Sequence, residues 1–221
     1  LEHHFSVVRT ARYQQLGSLS PTTRQLWLVL HGYGQLAEYF IRHFAPLHAA
    51  DPVGTVVVAP EGLSRFYLAG TAGRVGASWM TRADRLAELE DQASYLTALR
   101  HHLLAQCPAQ VQVTVLGFSQ GTATASRWLS REAASWRPHR LVLWAGDFSA
   151  DIDPIAAGRL LTALPVALVC GDQDEYIENN IFSQQAATLR QLGTDLETYR
   201  FAGGHTLHGA LLQQLHATGP S

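Results

Sequence analysis

The sequence predicts an α/β fold, a mainly parallel central sheet with helices on both faces. Three observations carry it. Apolar runs rich in β-branched residues recur along the chain between turn residues, and segments with helical spacing separate them. Strand and helix therefore alternate, which implies βαβ units. Glycine and polar residues collect directly after the apolar runs, where an open α/β sheet binds its ligands.

Taken in order, residues 5–13 alternate through Phe5, Val7 and Arg9 and read as an antiparallel edge strand. Gln25–Leu30, Thr55–Pro60 and residues 111–118, 141–144, 166–170 and 196–201 read as strands. Their near-continuous apolarity marks strands covered on both faces. Leu86, Leu89, Ala93, Leu96, Leu99 and Leu103 fall on one face of a helix, with Thr81 and Asp84 as its expected cap. Ile181, Ala186, Leu189 and Leu192 mark another helix, stopped by Gly193, and Leu207, Leu211 and Leu215 mark the last. Residues 61–80 read as a long loop bordering the site.

The chain has 221 residues, 47% hydrophobic and 15% charged, which suits one domain spanning residues 1–221. A formal net charge of −2 with thinly spread basic residues argues against nucleic acid as a partner. No apolar run approaches the ~20 residues of a membrane span, and no basic-then-apolar leader opens the chain, so no integral membrane association is expected. Cys107 and Cys170 fit no metal or redox spacing. As buried free thiols they favour a reducing, cytoplasmic setting, with the protein a monomer or homodimer. All 16 basic residues are arginine. Without lysine there is no Schiff-base chemistry, no serine–lysine dyad and no lysine-dependent phosphate loop.

The segments that follow the strands supply the parts of an acyl-transfer site. They are "HGYG", "EGLSRFY", "GFSQG", "AGDFS", "GDQDEYI" and "AGGHTLH". Gly117, Phe118, Ser119, Gln120 and Gly121 match G-x-S-x-G between a strand and a helix, the setting in which a serine sits on a sharp turn as nucleophile. A serine hydroxyl needs a base, and His205 follows the last strand after two glycines, with His208 as its competitor. His101 and His102 fit a solvated helix face, and no carboxylate or cysteine spacing makes a metal site of His205 and His208. The imidazole needs a carboxylate on its far nitrogen, which Asp172 and Asp174 both offer. The oxyanion needs two N–H donors, expected from Gln120 and from Tyr33 in "HGYG".

In "LHGYGQ", "VAPEG", "GFSQG", "GDQDEYI" and "GGH", the chain resembles the phospholipase/carboxylesterase family of α/β-hydrolases, which includes acyl-protein thioesterases. The resemblance implies an α/β-hydrolase fold without a large cap domain, working without cofactor or metal. It places the nucleophile on Ser119, the base on His205, the acid on Asp174 and the oxyanion donors on Tyr33 and Gln120. Three departures stand out: Thr122 replaces a common glycine, Trp79 in "SWM" lacks its usual aromatic–aspartate continuation, and "GDQDEYI" lacks a proline.

The expected activity is hydrolysis of short to medium acyl esters, possible lysophospholipids included, on a small-molecule substrate. Phe66, Tyr67, Trp79, Met80 and Ile177 are the candidate acyl-pocket residues. An acyl-protein thioesterase or small peptidase is an alternative on the same site. A non-catalytic binding protein of this fold is another, disfavoured because a complete triad is present.

Overall fold

A computed structural model describes residue 1 and residues 3–219. In chain order the elements are β1 (Tyr13–Leu16), β2 (Gln25–Leu30), α1 (Ala37–Phe40), α2 (Ala45–Ala50), β3 (Thr55–Pro60), β4 (Ser64–Tyr67), β5 (Val75–Ser78) and α3 (Arg85–Leu104). Then follow β6 (Gln112–Phe118), α4 (Gln120–Glu132), β7 (Arg140–Trp144), α5 (Pro154–Leu161), β8 (Pro165–Gly171), α6 (Asn179–Gln191), β9 (Asp195–Phe201) and α7 (Gly209–Ala217).

The central sheet runs β1-β3-β2-β6-β7-β8-β9, and only β1 is antiparallel to its neighbour. Period-two alternation sends successive side chains of each strand into separate cores. Leu26, Leu28 and Leu30 join Leu96, Trp128, Leu160 and Leu189, so α3–α6 cover one face. Trp27 and Val29 join Phe40, Phe44, Leu47 and Leu215, so α1, α2 and α7 cover the other.

Strand order reverses at β2, whose neighbours are β3 and β6, and a crevice opens at such a switch point. Leu30 lies opposite Gly117, Phe118 opposite Trp144, Trp144 opposite Val169, and Gly171 opposite Phe201. This register brings the segments after β2, β6, β7, β8 and β9 out along one edge of the sheet.

The main departures from the sequence expectation lie before α3. The edge strand is β1, which pairs Tyr13–Leu16 with β3, and only Tyr13 of the anticipated 5–13 run belongs to it. The upstream alternation buries nothing: Phe5, Val7 and Val8 are exposed. Residues 61–80 are no simple loop, because β4 and β5 form an antiparallel hairpin within them. Thr81 does not cap α3. The helix begins after Asp84, which has left-handed backbone angles and no side-chain capping bond. The Thr81 N–H is instead taken by Glu88, at 2.5 Å.

Glu61, just past β3 and 2% exposed, joins these outlying pieces. Its carboxylate receives the Arg12 guanidinium at 2.5 and 3.0 Å, Arg65 at 3.2 Å and the Ala37 N–H of α1 at 3.2 Å. Removing a buried acceptor strands its donors, although both arginines are partly exposed and regain water. Glu61→Ala should therefore cost about 1–3 kcal/mol in urea unfolding, and Arg65→Ala under about 1 kcal/mol because Arg12 still holds the carboxylate.

Candidate active site

Ser119 sits between β6 and α4 with φ 53° and ψ −119°, backbone angles that cost about 1–3 kcal/mol for a side-chain-bearing residue. Its surroundings hold it there. The Ser119 N–H donates to the Trp144 carbonyl at 2.9 Å, and its own carbonyl accepts the Thr122 N–H at 3.0 Å and the Thr122 hydroxyl at 2.6 Å. Thr122, where the resemblance leads one to expect glycine, is thus fully buried and ties the first turn of α4 to the serine. Gly117 and Gly121 are required by crowding. A Cβ on Gly121 would run into the Leu30 carbonyl, and one on Gly117 into the backbone of Gly121.

The "HGYG" turn abuts this elbow, so closely that a Cβ on Gly32 would lie 3.2 Å from the Ser119 Cβ. The Gln120 N–H stands in the first turn of α4, where the helix offers it no acceptor. In the facing turn, Gly32 N–H donates to Gln35 Oε1 at 2.7 Å and Gly34 N–H to the Ala77 carbonyl at 2.8 Å. Among the described residues no hydrogen bond engages the Tyr33 N–H. Gln120 also ties the elbow to the segment after β5 through its side chain, accepting the Trp79 N–H at 3.1 Å and donating to the Met80 carbonyl at 2.8 Å.

Beneath the turn lies His31, a residue the sequence reading passed over although it opens "HGYG". It is fully buried, donates from Nδ1 to the Gly32 carbonyl at 2.7 Å and accepts the Gly62 N–H on Nε2 at 3.0 Å. Trp79 packs on its ring at 4.8 Å and donates its indole N–H to the His31 carbonyl at 2.7 Å. Burial pushes the imidazole down to about 4, so it stays neutral and works as a fixed spacer.

His205 follows β9 and donates from Nδ1 to Asp174 Oδ2 at 2.9 Å, which leaves Nε2 as the basic nitrogen. Its ring lies between Phe118, the neighbour of Ser119, at 5.0 Å, and Tyr176 at 4.7 Å. Asp174 Oδ1 accepts the Tyr176 and Ile177 N–H groups at 2.9 and 3.2 Å, and the Cys170 thiol lies 3.6 Å from Oδ2. Desolvation opposes this carboxylate's charge, but the two N–H bonds and His205 outweigh it and hold Asp174 below its ordinary value. The competitors are engaged elsewhere. Asp172 accepts the Gly203 N–H at 3.0 Å, and His208 caps α7 by accepting the Leu211 N–H at 3.3 Å.

A cleft of about 700 Å³ opens beside Ser119, walled by Thr122, Ala123, Phe148, Ile152, Ile181 and Leu189. None of the five anticipated acyl-pocket residues lines it. The β4–β5 hairpin is pinned to the "HGYG" turn through Ala77, which turns its residues away. Phe66 packs on Tyr33 at 5.1 Å, Tyr67 is exposed, and Trp79 is fully buried on His31. Met80 lends its carbonyl to Gln120, and Ile177 is buried beside Asp174. The cleft's actual walls come from α4, the segment after β7, and α6.

A family model described as serine hydrolase (FSH1) matches residues 22–208. The chain belongs to that family. Among solved structures, this serine hydrolase family member is similar to esterase PE8, with 24% identity, 95% of this chain and 98% of that one covered, and a TM-score of 0.71. It is also similar to Zea mays acyl-protein thioesterase 2, with 18% identity, 95% and 97% covered and a TM-score of 0.70. A third is the phospholipase/carboxylesterase from Dyadobacter fermentans, with 16% identity, 96% and 98% covered and a TM-score of 0.63. The shared architecture is the α/β-hydrolase fold, with no cap domain among the described residues. No curated protein sequence matches the chain. No helix among the described residues is long and apolar enough to cross a membrane.

The neutral state of His31 sets a pH dependence for this family member. Its folded value of about 4 lies below the ordinary value of 6.5, so its stabilising contribution is complete above about pH 6.5 and is lost as pH falls toward 4. That loss amounts to about 3 kcal/mol. Urea unfolding measured from pH 7 to 4 should show a shallower decline for His31→Gln than for the parent. Parallel declines would mean that folding leaves the His31 imidazole at its ordinary value.

Proposed function

We propose that the protein is a serine esterase in which Ser119 is the nucleophile, His205 the general base and Asp174 the residue that orients and charge-balances the imidazole. The observation that carries this reading is the His205–Asp174 pair, at 2.9 Å, with Phe118 bridging from the imidazole to the strained elbow of Ser119. His205 Nε2 takes the hydroxyl proton as Ser119 Oγ attacks the ester carbonyl, then returns it to the leaving alcohol. Water, deprotonated by the same nitrogen, attacks the acyl-enzyme and releases the acid.

Negative charge develops on the carbonyl oxygen at the tetrahedral stage. The N–H groups of Gln120 and Tyr33 are the proposed donors to it, and each such donor is typically worth about 10²–10³ in rate. The elbow and the "HGYG" turn are held before substrate arrives, so little reorganisation accompanies the reaction. The cleft beside Ser119 supports binding of the acyl group, and short to medium acyl esters, lysophospholipids included, are the proposed substrates. Everything the reading requires lies within one domain and uses no cofactor.

A fluorophosphonate probe should label the intact protein and fail to label Ser119→Ala; labelling that persists in the variant rejects the nucleophile. With a short-chain aryl ester, Asp174→Asn should lower kcat by about 10⁴ through loss of the correct imidazole tautomer, and Asp172→Asn far less. The reverse order would move the acid to Asp172.

A further inference from the structure

The segment "AGDFS" after β7 contributes a carboxylate that the triad does not use. Asp147 follows Gly146, and a Cβ on Gly146 would run into the Ser119 carbonyl and the Thr122 hydroxyl, so Asp147 begins one residue from the reacting serine. Among the described residues, it is the one charged side chain lining the cleft that holds Ser119. No arginine lines that cleft to offset it. Its nearest polar neighbour is Gln185 of α6, whose amide nitrogen, in the orientation that pairs both ends of the group, donates to Asp147 Oδ1 at 2.7 Å while its oxygen accepts the Phe148 N–H. One neutral amide leaves the negative charge in place, and among the described residues no hydrogen bond or ion pair engages Oδ2.

Resting on the esterase reading, we propose that Asp147 sets the charge preference of the cleft: it rejects acyl groups bearing a distal carboxylate and favours those bearing a cation or a hydrogen-bond donor. Asp147 is exposed to solvent, and the desolvation it does undergo raises its carboxyl above its ordinary value. A second carboxylate brought into such a site meets repulsion, and the donors that line the cleft, Gln184 among them, are neutral amides and hydroxyls that carry no charge to offset it. A quaternary ammonium or a hydroxyl meets the free oxygen instead.

The test compares aryl esters of one length and three charges: hexanoate, adipate with its distal carboxylate free, and 5-(trimethylammonio)pentanoate. In the parent protein, kcat/KM for the adipate ester should fall below that of the other two. In Asp147→Asn, the adipate-to-hexanoate ratio should rise about tenfold, and the ratio for the cationic ester should fall. Gln185→Lys keeps the carboxylate and sets a cation beside it, and should move both ratios in the same directions. That second variant decides the matter if Asp147→Asn does not fold.

Ratios that stay within about twofold in the variants, or anionic and cationic esters that shift together, would overturn the assignment. Should the parent turn over none of the three esters and resist the fluorophosphonate probe, the esterase reading falls and takes this one with it. Labelling together with turnover indifferent to charge overturns the role of Asp147 alone.

Discussion

The site depends on one close approach, that of the first turn of α4 to the end of β2. Gly121 lies against the carbonyls of Leu30 and His31, so α4 starts directly above the strand pair β2–β6 with no side chain between. This contact fixes where Ser119 stands and how near the "HGYG" turn comes to it. It also explains why the elbow tolerates its backbone strain: the bonds from Ser119 to Trp144 and Thr122 close only when α4 is seated. Thr122 adds a hydrogen bond that glycine could not make, so its departure from the expected pattern reinforces the elbow.

Around that contact the polar groups are matched in pairs rather than left to solvent. His31 satisfies Gly32 and Gly62, Trp79 satisfies His31, and Gln120 satisfies Trp79 and Met80. Apart from the bond between His31 and Gly32, these bonds join segments distant in sequence, and such a network favours one arrangement over its neighbours. The backbone of the "HGYG" turn facing Ser119 is therefore held in place by the side chains of His31, Trp79 and Gln120.

The strands β2, β3 and β6–β8 were legible in the sequence to within a residue or two, because burial on both faces leaves a continuous apolar run, while β9, mostly exposed, was legible only as a short β-prone run. Ser119 and His205 could each be singled out in the sequence, since each follows a predicted strand. What escaped has a common physical reason. The hairpin β4–β5 has strands of only four residues, β4 half exposed and β5 containing Gly76, and they pair across a glycine-containing turn rather than by a local pattern. The edge strand is set by its partner β3, so the alternation at Phe5 and Val7 had no bearing on it. Once the hairpin is missed, its aromatics look like pocket walls. The walls of the cleft beside Ser119 rest largely on α6 and the segment after β7, whose proximity to Ser119 is a matter of tertiary structure. His31 had a signal, a histidine directly after an apolar strand, but its role is set by Gly62 and Trp79, distant in sequence.

Edge strands are usually the parts of a sheet that detach first, with little effect elsewhere. Here the edge is wired inward. Arg12, immediately before β1, is bound to Glu61, which also holds the start of α1, and the next residue, Gly62, donates to the imidazole under the "HGYG" turn. Fraying at the margin of the molecule would therefore loosen the backbone facing Ser119. The outermost strand behaves as a structural gauge of the backbone around Ser119, and agents that peel it away act at a distance on that backbone.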